Sequence, residues 1–594
     1  MDLNMRSTDV YEEIGGYVKP PIVPLPEIDN IDSLKYLGLK INKRSKQIVK
    51  SAMILSGFRS FQKKLPETIE HHLRTNNLRL PGLYMPAISA SLALADDPRH
   101  LTALERAATL IFAVRNLYDD LIAGRLPQDK YRDQVLEMGQ YPNVYATSII
   151  IDGKNVRMFK SKVTTQITVI VARRFYILEI ENYNDVEQIR EALAAIIQNA
   201  NNHKLEAHKH SPGILTAATN ETQLSVFNRI KKIQVNADSL DVLKHSFFTL
   251  CLEIDNHPSS YADAAFVTHG TNFENRWFHS SLQLVVYGNS KAVAICNFTT
   301  YLDGNTMMRT VSEIQKRAAL CSFATSDGMH KKSLPPAREL HWNINERAIW
   351  KAYKDVQILR DNQQATFEIT EIGSSYFAAH KTQSIPAFIL ALQLAVKRLT
   401  GKIIKIEQFL TMTKYRCMDL TTAVITTQEV EEFIKHLEGN DVQQAKAFEL
   451  LMTAIQSQAE VARIARSQLK LGLIITFYLR SLKRAKAFYA KAVLFFAALI
   501  IRLTGSMKSI PGGEIIVSHP DIFPEVPVVG RPAIRLPYVK YFGLHYQIYS
   551  EKIVITMMPG LTWKIPNTEF IFVLRECLQK IQWVINNGSR NRLN

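Results

Sequence analysis

Cysteine is scarce and scattered in this chain. The five thiols, Cys251, Cys296, Cys321, Cys417 and Cys577, are odd in number and contain no C-x-x-C pair, which argues against a disulfide framework, a zinc knuckle or a dithiol redox centre. A reducing cytoplasm is the expected compartment. No apolar run approaches the roughly 20 residues of a membrane span; the longest, 492–501, is closed by Lys491 and Arg502. The N-terminal MDLNMRSTDVYEEIGGY has acidic residues and no apolar core, so neither a secretory signal nor a transit peptide is expected. Low-complexity runs and solenoid periods are missing. No P-loop, G-x-G-x-x-G, H-E-x-x-H or G-x-S-x-G pattern occurs in the setting it needs, and no metal site is expected.

What the chain does have is apolar content and positive charge. At 594 residues with 46% hydrophobic side chains it can fill two or more cores. The net charge of +17 and the pI near 9.4 suit an anionic partner, whether nucleic acid, an acidic membrane or a phosphorylated ligand. A solvated lysine surface accounts for the charge equally well. The basic stretch Val461 to Lys491 carries eight Lys and Arg between Arg463 and Lys491, interleaved with apolar residues. It reads as a core-covering helix with a solvated edge, and contact of 461–491 with an anionic membrane surface stays open. No nucleic-acid partner is expected.

Strand and helix patterns alternate along the chain. The Pro-rich segment Tyr17 to Pro26 reads as an extended arm. Helical spacing recurs from Asn42 to Leu78 and from Ser89 to Ala123. QITVIVARRFYILEI (Gln166 to Ile180) reads as two strands around a turn at Ala172 to Arg174, and SLQLVVYG with KAVAICNF as a hairpin through Gly288 and Asn289. A helix ending at Gly401, a long helical region after Lys446, a strand-rich tail after Gly512 and Gly513, and a final helix Glu569 to Asn586 complete an α/β pattern in two lobes.

Six landmarks appear in order: QYPNVYATS (Gln140 to Ser148), PGILTAAT (Pro212 to Thr219), SFFTLCLEID (Ser246 to Asp255), HGTNFENRWFHSSLQLVVYG (His269 to Gly288), LHWNI (Leu340 to Ile344) and ALQLAVKRLTG (Ala391 to Gly401). Together they resemble the carnitine/choline O-acyltransferases, in which the second landmark is a strand end. The resemblance implies an α/β fold of two chloramphenicol-acetyltransferase-like lobes with a ligand tunnel between them. One lobe is expected to comprise 1–84 plus 341–594, with the coenzyme and acceptor elements; the other, 85–340, carries the loop of the catalytic histidine, here 294–304.

The resemblance also implies a site, and this chain departs from it. The family's histidine, a general base in an E-H-x-x-x-D-G type motif, falls on Thr299 when counted back from Asp303 and Gly304, or on Phe298 when counted forward from Trp277. Asp303 and Gly304 remain, with the family role of shaping the turn. The Thr and Arg that bind a carnitine carboxylate become Leu420 and Val424, so carnitine is not the expected acceptor. Glu407 stands where a Tyr is expected, and is either a subsite for a cationic substrate or a surface carboxylate. On the coenzyme side the family's two lysines become Ser375 and Ala379. Neighbouring Lys381 and His380, with Thr382 and Ser384, are the candidate phosphate contacts, Lys381 being otherwise a solvated lysine. The oxyanion-stabilising S-T-S-Q stretch falls on Ser518 to Asp521. His519 and His279 are the candidate displaced bases. Two functions follow from the resemblance: a divergent acyltransferase moving an acyl group from acyl-CoA to a small hydroxyl acceptor, or a catalytically inactive relative serving as an acyl-CoA-binding or interaction scaffold. Coenzyme A is expected as co-substrate, with no tightly bound cofactor, and the protein as a monomer.

Overall fold

The computed structural model describes Glu27–Ile28 and, with gaps, residues 86–590; the gaps include 203–210, 298–301, 324–335, 362–364, 415–419, 470–487, 494–513 and 520–539. The extended arm expected at 17–26 and the helices expected in 42–78 lie outside the described residues, apart from isolated positions.

The first lobe is built on a seven-stranded sheet. Its elements are β1 (Ser89–Leu94), α1 (Ala103–Ile122), β2 (Gln166–Val171), β3 (Arg174–Glu179), α2 (Val186–Asn202), α3 (Gly213–Ala217), α4 (Asn220–Ile230), β4 (Thr249–Glu253), β5 (Leu282–Tyr287), β6 (Ala292–Asn297), α5 (Gly304–Leu320), β7 (Arg338–Leu340) and α6 (Glu346–Asp361). The strand order is β7-β3-β2-β4-β5-β6-β1, with β4 parallel to β2 and β5 and the other pairs antiparallel. Side chains alternate across the sheet with the period of two that a pleated strand imposes. Ile167, Val169 and Val171 enter one core with α1, α2 and α5. Ile170, Val285 and Tyr287 enter the other, with α3, α4 and α6.

Two local expectations meet a different structure, and a third is met to within a residue. Ser89–Leu94, read as helical, is β1, paired with β6 in continuous register from Ser89 opposite Asn297 to Leu94 opposite Ala292; sheet pairing overrides a helical spacing of small residues. PGILTAAT, expected at a strand end, forms α3, and it begins at Gly213 because a Cβ there would lie 2.3 Å from the carbonyl oxygen of Glu274. The β2–β3 turn falls on Ala172 and Arg173, at φ +47° and +66°, the left-handed pair of a type I′ hairpin turn.

The second lobe has a six-stranded sheet. It contains β8 (Ala365–Ile369), α7 (Ser374–Ala379), α8 (Ser384–Thr400), β9 (Ile406–Thr411), β10 (Leu420–Val424), α9 (Gln428–Leu437), α10 (Gln444–Ala465), β11 (Ile515–Ser518), β12 (Phe542–Ile548), β13 (Ile553–Pro559) and α11 (Asn567–Arg590). The order is β8-β13-β12-β11-β9-β10, and β9, β11 and β12 run parallel. One face packs on α8, α10 and α11 through Val517, Leu544, Tyr546 and Ile555. Gly401 ends α8 in the left-handed conformation at φ +71°, its N–H donating to Lys397 O. The helix expected through Val461 to Lys491 stops instead at Ala465, capped by Arg466, and a two-residue strand, Gln468–Leu469, pairs with Glu27–Ile28. Most of the remaining basic stretch, 470–487, lies outside the described residues. Beyond the expected 340/341 boundary, Ala348, Ile349, Ala352 and Val356 of α6 bury with Ile214, Phe227 and Trp277 of the first lobe. Among the described residues no helix is long and apolar enough to cross a membrane.

At the end of β4 the Glu253 carboxylate is 4% exposed and meets the guanidinium of Arg276, 0% exposed, with further hydrogen bonds from Asn256 at 2.7 Å and Asn272 at 2.8 Å. Removing one member of such a pair leaves an uncompensated buried charge. Arg276→Met is therefore expected to lower unfolding stability by about 3–5 kcal/mol, and Glu253→Gln in the same chain to restore part of it, both read from urea denaturation.

Candidate active site

Thr299 and Phe298 lie outside the described residues, but the residues that flank the segment are held. Asn297, last in β6, donates from Nδ2 to Phe278 O at 2.8 Å and from its backbone to Ser281 O at 2.9 Å. On the far side the Asp303 N–H donates to Gln140 Oε1 at 2.6 Å, and Asp303 Oδ1 caps α5 by accepting from Thr306 N at 2.7 Å. Gln140 belongs to the QYPNVYATS landmark and is 1% exposed. The adjacent Tyr141 hydroxyl donates to Asp129, whose carboxyl is pushed up by burial. Asp303 thus fixes the start of α5. Gly304 does not need to be glycine: a Cβ there meets nothing within 4 Å, and its φ is ordinary.

One residue after that motif, Asn305 reaches the other lobe and donates from Nδ2 to Thr411 Oγ1 at 2.5 Å. Thr411 ends β9 on the face opposite the helical core, and Glu407 shares that face by alternation. Glu407 accepts a hydrogen bond from the Thr422 hydroxyl and is paired in register with Val424, while Thr411 is paired with Leu420. The positions that the resemblance assigns to the acceptor therefore occupy one hairpin. Glu407 lies within β9 and is half-buried, not a connection at the surface.

The same face continues across the sheet as a polar row. Ser518 of β11 is opposite His545 of β12, His545 is opposite Thr556 of β13, and Thr556 is opposite Thr366 of β8. Ser518 Oγ and His545 Nδ1 are 2.9 Å apart, and the two threonine hydroxyls 3.1 Å apart. Ser518 is 6%, His545 5% and Thr556 2% exposed. Ser518 was expected in the oxyanion-stabilising stretch, but His545 and its pairing with Ser518 were not expected. A signal for it exists in YFGLHYQIY, where His545 and Gln547 are the polar members of one strand face, but the partner across the sheet can be found only from the register.

The coenzyme candidates cluster at the start of α8. Phe388, in its second turn, packs against Tyr546 of β12 with ring centroids 4.4 Å apart, so the helix begins at the carboxyl ends of the parallel strands, where α/β sheets place ligands. Lys381 is exposed and left-handed at φ +51°. Its N–H donates to Ala378 O at 3.0 Å and that of Thr382 to Phe377 O at 2.8 Å, which makes a Schellman closure of α7 with lysine where glycine is usual. His380 is fixed by Nδ1 near Tyr376 O at 2.9 Å, Thr382 is buried, and Ser384 opens α8. His519 packs on Tyr546 at 5.0 Å, on the α8 side of the sheet, opposite to the face that carries Ser518.

His279 is placed elsewhere. It is 3% exposed between Phe227 and Trp277. The Gln223 amide donates to the carbonyls of Thr216 and Ala218, which turns its oxygen towards His279 Nε2 at 2.7 Å. His279 therefore donates from Nε2, and burial pushes its pKa down to about 3. This is the environment of a core histidine, remote in kind from that of a base that must exchange protons with an acceptor.

Two α/β lobes that meet where α5 touches the polar face of the second sheet define a two-lobed α/β protein. The chain belongs to the choline/carnitine O-acyltransferase family, whose model matches residues 77–468. It is 24% identical over 376 residues to mouse (Mus musculus) carnitine O-acetyltransferase, covering 60% of this chain and 59% of that protein. With choline O-acetyltransferase of Danio rerio it shares 22% over 396 residues, covering 61% and 60%. The chain thus spans about three fifths of the length of these relatives. The starter condensation domain of rhizomide synthetase aligns over 85% of this chain and 91% of that chain at 8% identity, with a TM-score of 0.38, too low to carry an argument. Strands β11 to β13, with Ser518 and His545, lie beyond the family match.

Because the folded-state pKa of His279 lies below its unfolded value near 6.5, the unfolded chain binds more protons between those limits, and stability falls as pH drops from about 6.5 towards about 3. His279→Gln, which retains the donor and removes the titration, is expected to flatten the dependence of urea midpoint on pH across that window. An unchanged slope would show that His279 is not buried as described.

Proposed function

We propose that the chain is a divergent CoA-dependent O-acyltransferase, transferring an acyl group from an acyl-CoA thioester to a small hydroxyl acceptor other than carnitine. The observation that carries this reading is the Asn305–Thr411 hydrogen bond. It joins the helix opened by the family's histidine loop to the hairpin of the acceptor positions, the two elements that the family resemblance sets on either side of the reacting atoms. Nucleotide phosphates are assigned to the rim at α8, where Lys381 supplies a point charge and the first N–H groups of the helix point outward. Lys381 adopts a strained conformation that a glycine would avoid, and strain of this kind persists where it serves a function. His519, on the α8 side, belongs with the coenzyme. Leu420 and Val424 offer an acceptor carboxylate no charge-assisted bond. Glu407, held by Thr422, favours an acceptor carrying positive charge.

A second reading, an inactive relative that binds acyl-CoA or a partner, is favoured by the loss of the family histidine at Thr299 or Phe298 and by the buried, neutral state of His279. Calorimetric titration with CoA and acetyl-CoA tests what the enzymatic reading requires: saturable, salt-weakened binding is expected, and no heat at millimolar ligand overturns it. Thiol release from acetyl-CoA then separates enzyme from scaffold. Lys381→Gly gives a contrast of sign. It is expected to stabilise the fold by up to about 1 kcal/mol by relieving the left-handed strain, while weakening CoA binding several-fold. A variant with unchanged CoA affinity would remove Lys381 from the site.

A further inference from the structure

We propose that Ser518 is a nucleophile activated by His545, so that acyl transfer runs through an ester on Ser518 instead of by direct attack of the acceptor on the thioester. The inference rests on the acyltransferase reading above and names the groups that carry out its chemistry.

Three observations support it. First, the pair has nucleophile and base geometry: Ser518 Oγ lies 2.9 Å from His545 Nδ1, on adjacent parallel strands with the two residues directly opposite, within the reach that proton abstraction needs. Second, it sits at the end of β11, at the carboxyl ends of the parallel strands and on the sheet face away from the helical core. Thr411, which Asn305 of the other lobe contacts, and Glu407 are on this same face. Third, Ser518 and His545 are both more than nine-tenths buried. A polar pair withdrawn from water at a sheet end costs stability unless bonded, and the core-facing neighbours Val517 and Leu544 show that the same strands accept aliphatic residues. A purely structural row would be served by the threonine pair that continues it, Thr556 with Thr366.

The chemistry balances without a further reagent. As Ser518 Oγ bonds to the thioester carbonyl carbon, its proton passes to His545 Nδ1. The carbon–sulfur bond breaks, the leaving thiolate takes that proton, and free CoA departs from an ester on Ser518. The acceptor hydroxyl then attacks the ester carbonyl, giving its proton to Nδ1, and Ser518 Oγ recovers a proton as it leaves. The histidine that the family uses to activate the acceptor is thereby replaced by one that activates a serine first.

The test uses the full chain with acetyl-CoA and no acceptor, quenched in acid and read by intact mass and peptide mapping. One acetyl group on Ser518 is expected. Ser518→Ala should lose both the adduct and thiol release, and His545→Ala should slow acylation by about 10²–10⁴-fold. CoA calorimetry on each variant serves as the folding control, and Ser518→Cys, which replaces one nucleophile by another, should still acquire the acetyl group. Sustained turnover by Ser518→Ala with no adduct on the wild type overturns the serine route and leaves direct transfer. CoA binding with neither adduct nor thiol release overturns it in favour of the scaffold. Failure to bind CoA overturns the acyltransferase reading itself.

Discussion

The second sheet packs one face on helices and carries on the other a buried polar row among aliphatic side chains, and the arrangement of the site follows from that difference. A strand sends successive side chains to opposite faces, so β11 and β12 set Val517, Leu544 and Tyr546 against α8, α10 and α11 while Ser518 and His545 emerge on the other side. Hydroxyls and an imidazole are costly to desolvate without partners, and here the in-register row from Ser518 to Thr366 supplies them. The first sheet has helices against both faces. A polar row thus runs across the face on which Asn305 bridges the lobes.

The other half of the site depends on a chain of buried bonds in the first lobe. Glu253 and Arg276 fix the Asn275 to Phe278 segment, helped by Trp277 N–H donating to Gln283 Oε1 at 2.7 Å. Phe278 then offers its carbonyl to Asn297, and Gln140 receives the Asp303 N–H beyond the turn. The desolvated ion pair is thus linked, through Phe278, to the near end of the segment where the family histidine would sit, and Gln140 holds the far end separately. None of these anchors uses a side chain of residues 298–301, and a fold of this kind does not by itself fix the chemistry it carries.

Much of this was legible before any coordinates. The hairpins at 166–179 and 282–297, the Gly401 terminus and the closing helix follow from alternation, turn residues and caps, which act over a few residues. Ser89–Leu94 was misread because its small apolar residues satisfy both periods and only pairing with β6 decides between them. The Val461 to Lys491 helix was drawn too long since its composition carries no stop signal at Ala465. In the site, the acceptor positions Glu407, Leu420 and Val424 were brought together on one hairpin. His279 was weighed as a base because nothing local reveals that Gln223, 56 residues earlier, would seal it. His545 escaped notice for the complementary reason: its significance comes from Ser518, 27 residues away in sequence.

These two histidines show how environment, not residue type, assigns a role. His279 donates to an amide whose other hydrogen bonds are already committed, and its proton affinity is too low to take up a proton near neutral pH. His545 faces the Ser518 hydroxyl through Nδ1 at 2.9 Å, and in the tautomer with the proton on Nε2 that nitrogen accepts from the hydroxyl. A base needs a lone pair aimed at an ionisable hydroxyl, and a nucleophile needs that base at hydrogen-bond distance before the substrate arrives. Of the two, only the sheet-borne histidine stands at hydrogen-bond distance from a hydroxyl, on the face that also carries Glu407 and Thr411. A base lost from a loop in one lobe is then compatible with chemistry retained in the other, since what the reaction requires is the juxtaposition of groups and not their order along the chain.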